Sequence, residues 1–509
     1  MRALVLGAIL ATAGCRAESS VCVFGGAPDL GGVDFAGVTA AAASVTQHHH
    51  NSSRDGVYVD PAITAAAAAS MHIDPTFDAV TDGETYAQPL FVAGGANEKD
   101  LVIVATEKNQ VTAFDAADGA VVWRVDAGTL GPPANAGDLP CGNVNPVQGI
   151  HGTPSIDLQS RSLFFDVLTE GAGKTFKHLI YALSIDDGSV RAGWPIDVAA
   201  RFPEFQPAPQ GARGATIVVG GMVYVPYGGM WGDCGDYHGY VVQAPIADPD
   251  SVTDWHTEAP QSGIWAPGGL ASDGASIFAA TGNSFDGQPF GHQESILRFA
   301  PGPAVQDAFT ASNWMSLDTN DKDLGGSGPI LVDGPAGEKW ALAFGKDTNV
   351  YLLDREHLGG VGGQIASAQI TTDEIIQAGA AYTSPSGTLV VLKGNGAHCP
   401  DEVGDLVALR ISNATGALAL ETIWCADQQG TGSPMITTTD GQHDAIVWAV
   451  GSEGDNRLHA FDAETGRAIY DGGCATDQMN TVRRFMTPIV AKGRIYVAAD
   501  NRVYAFRSQ

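Results

Sequence analysis

Six side chains in the middle of the chain have types that do chemistry. Asp236, Asn283 and Asp323 offer carboxylate and amide oxygens. These are hard donors of the kind that bind divalent cations, and a carboxylate can also take up a proton. Lys346 and Arg213 are cations suited to anionic oxygens, and Trp265 presents a π-face for stacking. Asn283 ends Thr281-Gly282-Asn283, directly after the apolar run Ile277 to Ala280. Asp323 lies in Asp321-Lys322-Asp323-Leu324-Gly325-Gly326, and Trp265 in Gly263-Ile264-Trp265-Ala266-Pro267. Lys346 opens a longer run, Lys346-Asp347-Thr348-Asn349-Val350-Tyr351-Leu352-Leu353-Asp354-Arg355. Asp236 precedes Tyr237-His238-Gly239-Tyr240-Val241, with Asp233 as the second choice in that stretch. Taken singly, each also reads as an ordinary turn or a solvated acidic loop. What matters is whether one scaffold gathers them.

The scaffold is legible in a repeat. Val111-Thr112-Ala113-Phe114 suits a strand, Asp115 to Gly119 is turn chemistry, and Val121-Val122-Trp123 suits the returning strand. Related hairpins recur at Tyr181-Ala182-Leu183, Tyr240-Val241-Val242, Ile296 to Phe299, Tyr351 to Asp354, Leu406 to Leu409, His459 to Asp462 and Tyr504-Ala505-Phe506. A repeat every 45 to 70 residues or so signifies a propeller or an array. Each copy is preceded by a small-residue and Pro segment such as Gly152-Thr153-Pro154 or Gly432-Ser433-Pro434, and then by an apolar strand. The predicted fold is therefore an all-β propeller of eight four-stranded blades. The eighth blade lacks a fourth strand after Tyr504-Ala505-Phe506. The orphan stretch Met71 to Val80 is expected to supply it and close the ring. Arg213, His151, Gln88, Tyr382 and Arg484 begin inner strands and are expected to face the axis.

Composition agrees. The 64 Gly and 27 Pro among 509 residues favour a turn-rich β chain. A formal charge of −30 argues against nucleic acid as a partner. Arg2 precedes a short apolar run, Ala3 to Ala11, and then Thr12-Ala13-Gly14-Cys15. This resembles a bacterial lipoprotein cleavage box, with Cys15 as the lipidated residue. The resemblance implies a signal peptide over 1–15 and export to the cell envelope, at the outer membrane or cell surface. Residues 16–50 read as a flexible tether, in which His48-His49-His50 form a solvated stretch, and 51–509 as the propeller. Six further Cys suggest disulfides. Fifteen pairings are open to them. Cys399 and Cys425 fall within one repeat and could bridge neighbouring strands, Cys141 and Cys234 could meet near the axis, and Cys22 in the tail could be free.

Ala113, Gly119 and Trp123 stand at the first, seventh and eleventh places of the hairpin, and Ala460, Gly466 and Tyr470 repeat the spacing. This resembles the tryptophan-docking repeat of the pyrroloquinoline quinone (PQQ) dehydrogenases, and the chain is similar to that group from about residue 80 onward. Thr281-Gly282-Asn283 and the Lys346 run resemble the corresponding motifs of quinoprotein alcohol dehydrogenases. The resemblance implies calcium held by Asp236, Asn283 and Asp323. It also implies Asp323 as the base, and a quinone contacted by Lys346 with Trp265 and Arg213 beside it. Two departures stand out: there is no adjacent-Cys pair and no Cys-x-x-Cys-His haem site. Two functions follow as expectations. One is a dehydrogenase oxidising an alcohol or polyol with PQQ and calcium. The other is a non-catalytic propeller that binds a protein, peptide or polymer in the envelope, as the outer-membrane assembly lipoprotein of this group does.

Overall fold

The computed structural model describes residues 43–509, apart from 143, 286–288, 301, 402, 414–415 and 417. The expected signal peptide, Cys15 and Cys22 lie outside the described residues. Eight blades surround a central axis, each built on an antiparallel sheet, with Val57–Val59 added parallel to blade seven and Gly360–Val361 to blade four. The inner strands are Leu90–Val92, Ser155–Asp157, Ile217–Val219, Ala271–Ser272, Ile330–Asp333, Ala380–Ser384, Met435–Thr438 and Ile489–Ala491. In blade one the order is Leu90–Val92, Leu101–Thr106, Gln110–Asp115 and Val121–Val125, so the repeated hairpin forms the two outer strands. The last blade closes as expected. Met71–Ile73 and Ala79–Val80 both pair antiparallel with Arg502–Ser508, which joins the two ends of the chain and covers an open sheet edge.

The sheets are buried on both faces, so their middle strands are apolar without alternation: Leu101–Thr106 and Ile446–Val450 are buried throughout. The core consists of clusters at the junctions between blades. One joins blades one and two through Ile103, Trp123, Ile156 and Leu183. Another joins blades seven, eight and one through Trp448, Tyr496 and Phe114. The docking residue acts across such a junction. Trp123 Nε1 donates to the Ile185 carbonyl at 2.9 Å, and its ring covers Gly188, where a Cβ would meet the indole at 2.8 Å. Trp424 repeats the arrangement between blades six and seven, donating to the Ala463 carbonyl at 2.8 Å over Gly466. Only a residue without a Cβ lets the indole lie this close.

The stretch expected to be a solvated tether is packed into the ring. His48 and His49 are buried and their rings stack at 4.4 Å. From Val45 to Asp60 the chain circles the axis as a belt, touching the inner strands in order. Val45 and Phe91 exchange backbone hydrogen bonds at 2.8 and 3.0 Å. Ile156 donates to the Thr46 carbonyl, Val218 to Gln47 Oε1 and Ser272 to the Ser52 carbonyl. Leu331, Ala381 and Ile436 then donate to the carbonyls of Ser53, Asp55 and Gly56. Gly493 N–H reaches Asp60 Oδ2 at 2.7 Å in blade eight. The physical reason is accounting of backbone groups: innermost strands have one free edge, and a buried N–H must be paired. Arg54 fills the centre, donating to the carbonyls of Leu270, His48 and Thr216 at 2.8, 2.8 and 3.0 Å.

Of the possible pairings, Cys141–Cys234 and Cys399–Cys425 are formed. Cys474 is disulfide-bonded as well.

Candidate functional site

The segments that lead into the inner strands of blades three, four and five converge at one end of the axis with the connections between the second and third strands of blades three and five. They enclose a cavity of about 190 Å³ whose walls include Arg213, Trp231, Asp233, Trp265, Asp323 and Lys346. Four of the six residues singled out from the sequence therefore share one pocket. Trp265 contributes an indole to the wall beside two cations. The Arg213 guanidinium is 4.8 Å and the Lys346 ammonium 5.5 Å from the indole centroid. Asp323 is buried, and both its oxygens are held: Oδ1 accepts the Asn283 N–H at 2.7 Å, and Oδ2 faces Lys346 Nζ at 2.6 Å. Lys346 also pairs with Asp321. Gly282 makes this closeness possible, since a Cβ there would lie 2.5 Å from Asp323 Oδ1 and 3.2 Å from Trp265 Nε1.

Electrostatics follow from burial. It pushes the Asp323 carboxyl up, and Lys346 and the Asn283 N–H oppose the push without cancelling it. The result is a carboxylate more basic than usual, yet fixed in place. Burial pulls the Lys346 ammonium down, and Asp323 and Asp321 more than reverse this, so it stays charged. Burial lowers Arg213, only partly offset by Asp233, Tyr237 and Asp323. Arg213 Nε is buried and has no hydrogen-bond partner. An unpartnered guanidinium nitrogen at the wall of a pocket suits an anionic ligand.

Asn283 is buried behind the wall, with its N–H on Asp323 and its Nδ2 3.5 Å from the Asp318 carbonyl. Asp236 is not brought to Asn283 and Asp323. It is exposed and lines a separate cavity with Glu204, His238 and His256. The cause is the chain between the two candidate acids: Cys234 is tied to Cys141, and Gly235 turns with φ +88°. Asp233, before that turn, faces the axial pocket and accepts the Tyr237 hydroxyl. Of the other expected axial residues, Arg484 lines the pocket, with its guanidinium 4.5 Å from the Trp231 ring centroid. His151 is held by Glu107 at 2.6 Å, Gln88 accepts the His49 N–H, and the Tyr382 hydroxyl reaches the Gln442 carbonyl. Sequence reasoning passed over Trp231, Glu374 and the buried Glu294. The one signal in the sequence is Trp231 two residues before Asp233.

The pocket fits a planar, carboxylate-bearing quinone such as PQQ in its donor set: an indole to stack on, two cations beside it, and an orphaned guanidinium nitrogen. Its volume is below the roughly 300 Å³ usual for a small-molecule site. However, it shares Glu374, Ile376 and Arg484 with an adjoining recess of about 420 Å³. Calcium fits less well. Six to eight oxygens are needed, Asp236 is elsewhere, and an ammonium occupies one side of Asp323. Among the described residues, the one cluster of three His, Cys, Asp or Glu ligand atoms within 4.8 Å is His72, Cys474 and Asp477, away from the axis, and its Cys is disulfide-bonded.

Comparison with known proteins agrees with the architecture. A family model described as outer membrane protein assembly factor BamB matches residues 77–148, the first blade and its flanks. Quinohemoprotein alcohol dehydrogenase from Comamonas testosteroni superposes with a TM-score of 0.63 at 14% identity, covering 91% of this chain and 80% of that one. A europium-containing methanol dehydrogenase gives 0.63 at 15%, covering 91% and 90%. BamB from Moraxella catarrhalis gives 0.50 at 14%, covering 86% and 98%. No curated protein matches the sequence. By fold, the chain is an eight-bladed β-propeller similar to those of quinoprotein alcohol dehydrogenases, and one stretch of it, residues 77–148, matches the family model.

Proposed function

We propose that the protein is a quinoprotein-type dehydrogenase that oxidises an alcohol or polyol in the cell envelope. The observation that carries this reading is the grouping of Arg213, Trp265, Asp323 and Lys346 around one axial pocket. When bound, PQQ supplies an o-quinone that accepts two electrons. The remaining work falls to the chain. Trp265 offers the stacking face. Arg213 and Lys346 balance anionic oxygens, and Lys346 holds Asp323 by its Oδ2. Asp323, made more basic by burial, takes the hydroxyl proton of the substrate. Trp231 and Arg484 screen the mouth from water. The test is reconstitution of the purified protein with PQQ, with and without Ca²⁺. Binding is followed by absorbance, and turnover by a dye acceptor with a panel of alcohols. Saturable binding with alcohol-dependent dye reduction supports the reading, and absence of binding in both arms overturns it.

A second reading, a non-catalytic propeller that binds an envelope protein or polymer, is favoured by the match of residues 77–148 to an assembly-factor model. Under either reading we propose export and lipid attachment through Cys15. Loss of membrane fractionation and of fatty-acid labelling in Cys15→Ser is the expected result.

A further inference from the structure

Behind the pocket wall lies an acid with no role so far. Glu294 directly precedes the strand Ser295–Phe299 and is fully buried, yet it lines no part of the axial cavity. Its Oε2 accepts the Leu324 N–H at 2.6 Å, and its own N–H donates to the Gly282 carbonyl at 3.1 Å. Leu324 follows Asp323 in the chain. Gly282 precedes Asn283, whose N–H holds Asp323 Oδ1. Glu294 thus ties together, from behind, the two backbone segments that grip the pocket carboxylate. These segments are tightly apposed, since a Cβ on Gly325 would lie 2.6 Å from the Thr281 carbonyl carbon.

The cost of this arrangement indicates that it is not ordinary packing. Glu294 Oε1 is buried and has no partner, and a buried carboxylate with an empty oxygen is strongly disfavoured when ionised. Burial first, and Asp323 second, hold this carboxyl well above the usual range. A neutral carboxyl sits behind Asp323 without repelling it, where an ionised one would push it off Lys346.

We propose that Glu294 is a positioning residue for the axial carboxylate, fixing the Asp323–Lys346 pair through the Leu324 N–H and the Gly282 carbonyl. This rests on the reading of Asp323 as the working group of the pocket. The experiment does not need that reading to hold. Lys346 acylation by acetic anhydride is followed by peptide mass spectrometry, with Lys322 as the internal reference and circular dichroism as the check on folding. Glu294→Gln keeps an oxygen for Leu324 and mimics the neutral acid, so Lys346 labelling should stay at the unmodified protein's rate. Glu294→Leu removes the acceptor and should raise Lys346 labelling about fivefold relative to Lys322, the ratio expected for losing one hydrogen bond. An unchanged rate in Glu294→Leu overturns the proposal. So does a fivefold rise in Glu294→Gln, which stands alone if the Leu variant fails to fold. If labelling behaves as expected while PQQ does not bind, the positioning role holds and the quinoprotein reading fails.

Discussion

The buried belt predicts a specific sensitivity to acid. Burial holds the His49 imidazole near a pKa of about 4, against an ordinary 6.5. Its folded-state value is depressed, so the folded protein prefers the neutral ring. The associated stability is intact above pH 6.5 or so and is lost as pH falls toward about 4. Between about pH 7.5 and pH 5, the unfolded ring gains most of a proton and the folded ring almost none. At 1.36 kcal/mol per unit, this costs about 2 kcal/mol at pH 5, or about 30-fold in an opening equilibrium. His49 Nε2 has no partner, so no counter-charge offsets the cost. The measurement is hydrogen exchange of peptides within 43–60, corrected for intrinsic rates, at the two pH values in the protein and in His49→Gln. His48 and His50 are also held neutral by burial and respond to acid in both proteins, so on going to the lower pH the belt should open about 30-fold more in the protein than in the variant. Comparison with the variant isolates the His49 contribution together with its coupling to the stacked His48. Equal acid responses in the two proteins would refute the assignment of a neutral imidazole to the belt.

Arg213→Met should weaken PQQ binding roughly ten- to a hundredfold by titration, since a charged hydrogen-bond donor is lost. Asp323→Asn should leave PQQ affinity within a few-fold and reduce dye-linked turnover by about two to four orders of magnitude. Trp123→Ala removes a buried indole from the junction of blades one and two. It should cost about 3–5 kcal/mol, seen as a lowered midpoint in thermal or urea unfolding.

Much of the fold was legible because a propeller repeats its physics. Strand, turn and docking residue recur, so Gly119, Trp123 and the missing fourth strand of blade eight were readable from local chemistry and count. The grouping of Trp265, Asp323 and Lys346 was readable for a related reason: the segments entering inner strands, which carry Trp265 and Asp323, and the turn between the second and third strands of blade five, which carries Lys346, open at the same end of the axis. What stayed hidden depends on long-range burial. His48-His49-His50 have the composition of a linker, and only the free edges of the inner strands explain why that stretch is drawn inward. The exchange of Asp236 for Asp233 turns on a disulfide and one left-handed glycine between them, a three-residue shift that spacing does not reveal. Glu294 looks like any surface acid before a strand, and its burial follows from the closeness of Gly282 and Gly325.

The belt also bears on how the molecule is made. Its residues meet the blades in rising order, Val45 in blade one, Ser53 in blade five, Asp60 in blade eight. Synthesis delivers the blades in that same order. Each newly made blade therefore finds its acceptor oxygen already synthesised, on a segment that acts as a ruler for counting blades. The segment supplying the final strand, Met71–Ile73, waits from the start for Arg502–Ser508. In such a vectorial assembly, a belt shortened by a few residues would be expected to misregister the ring and trap it open.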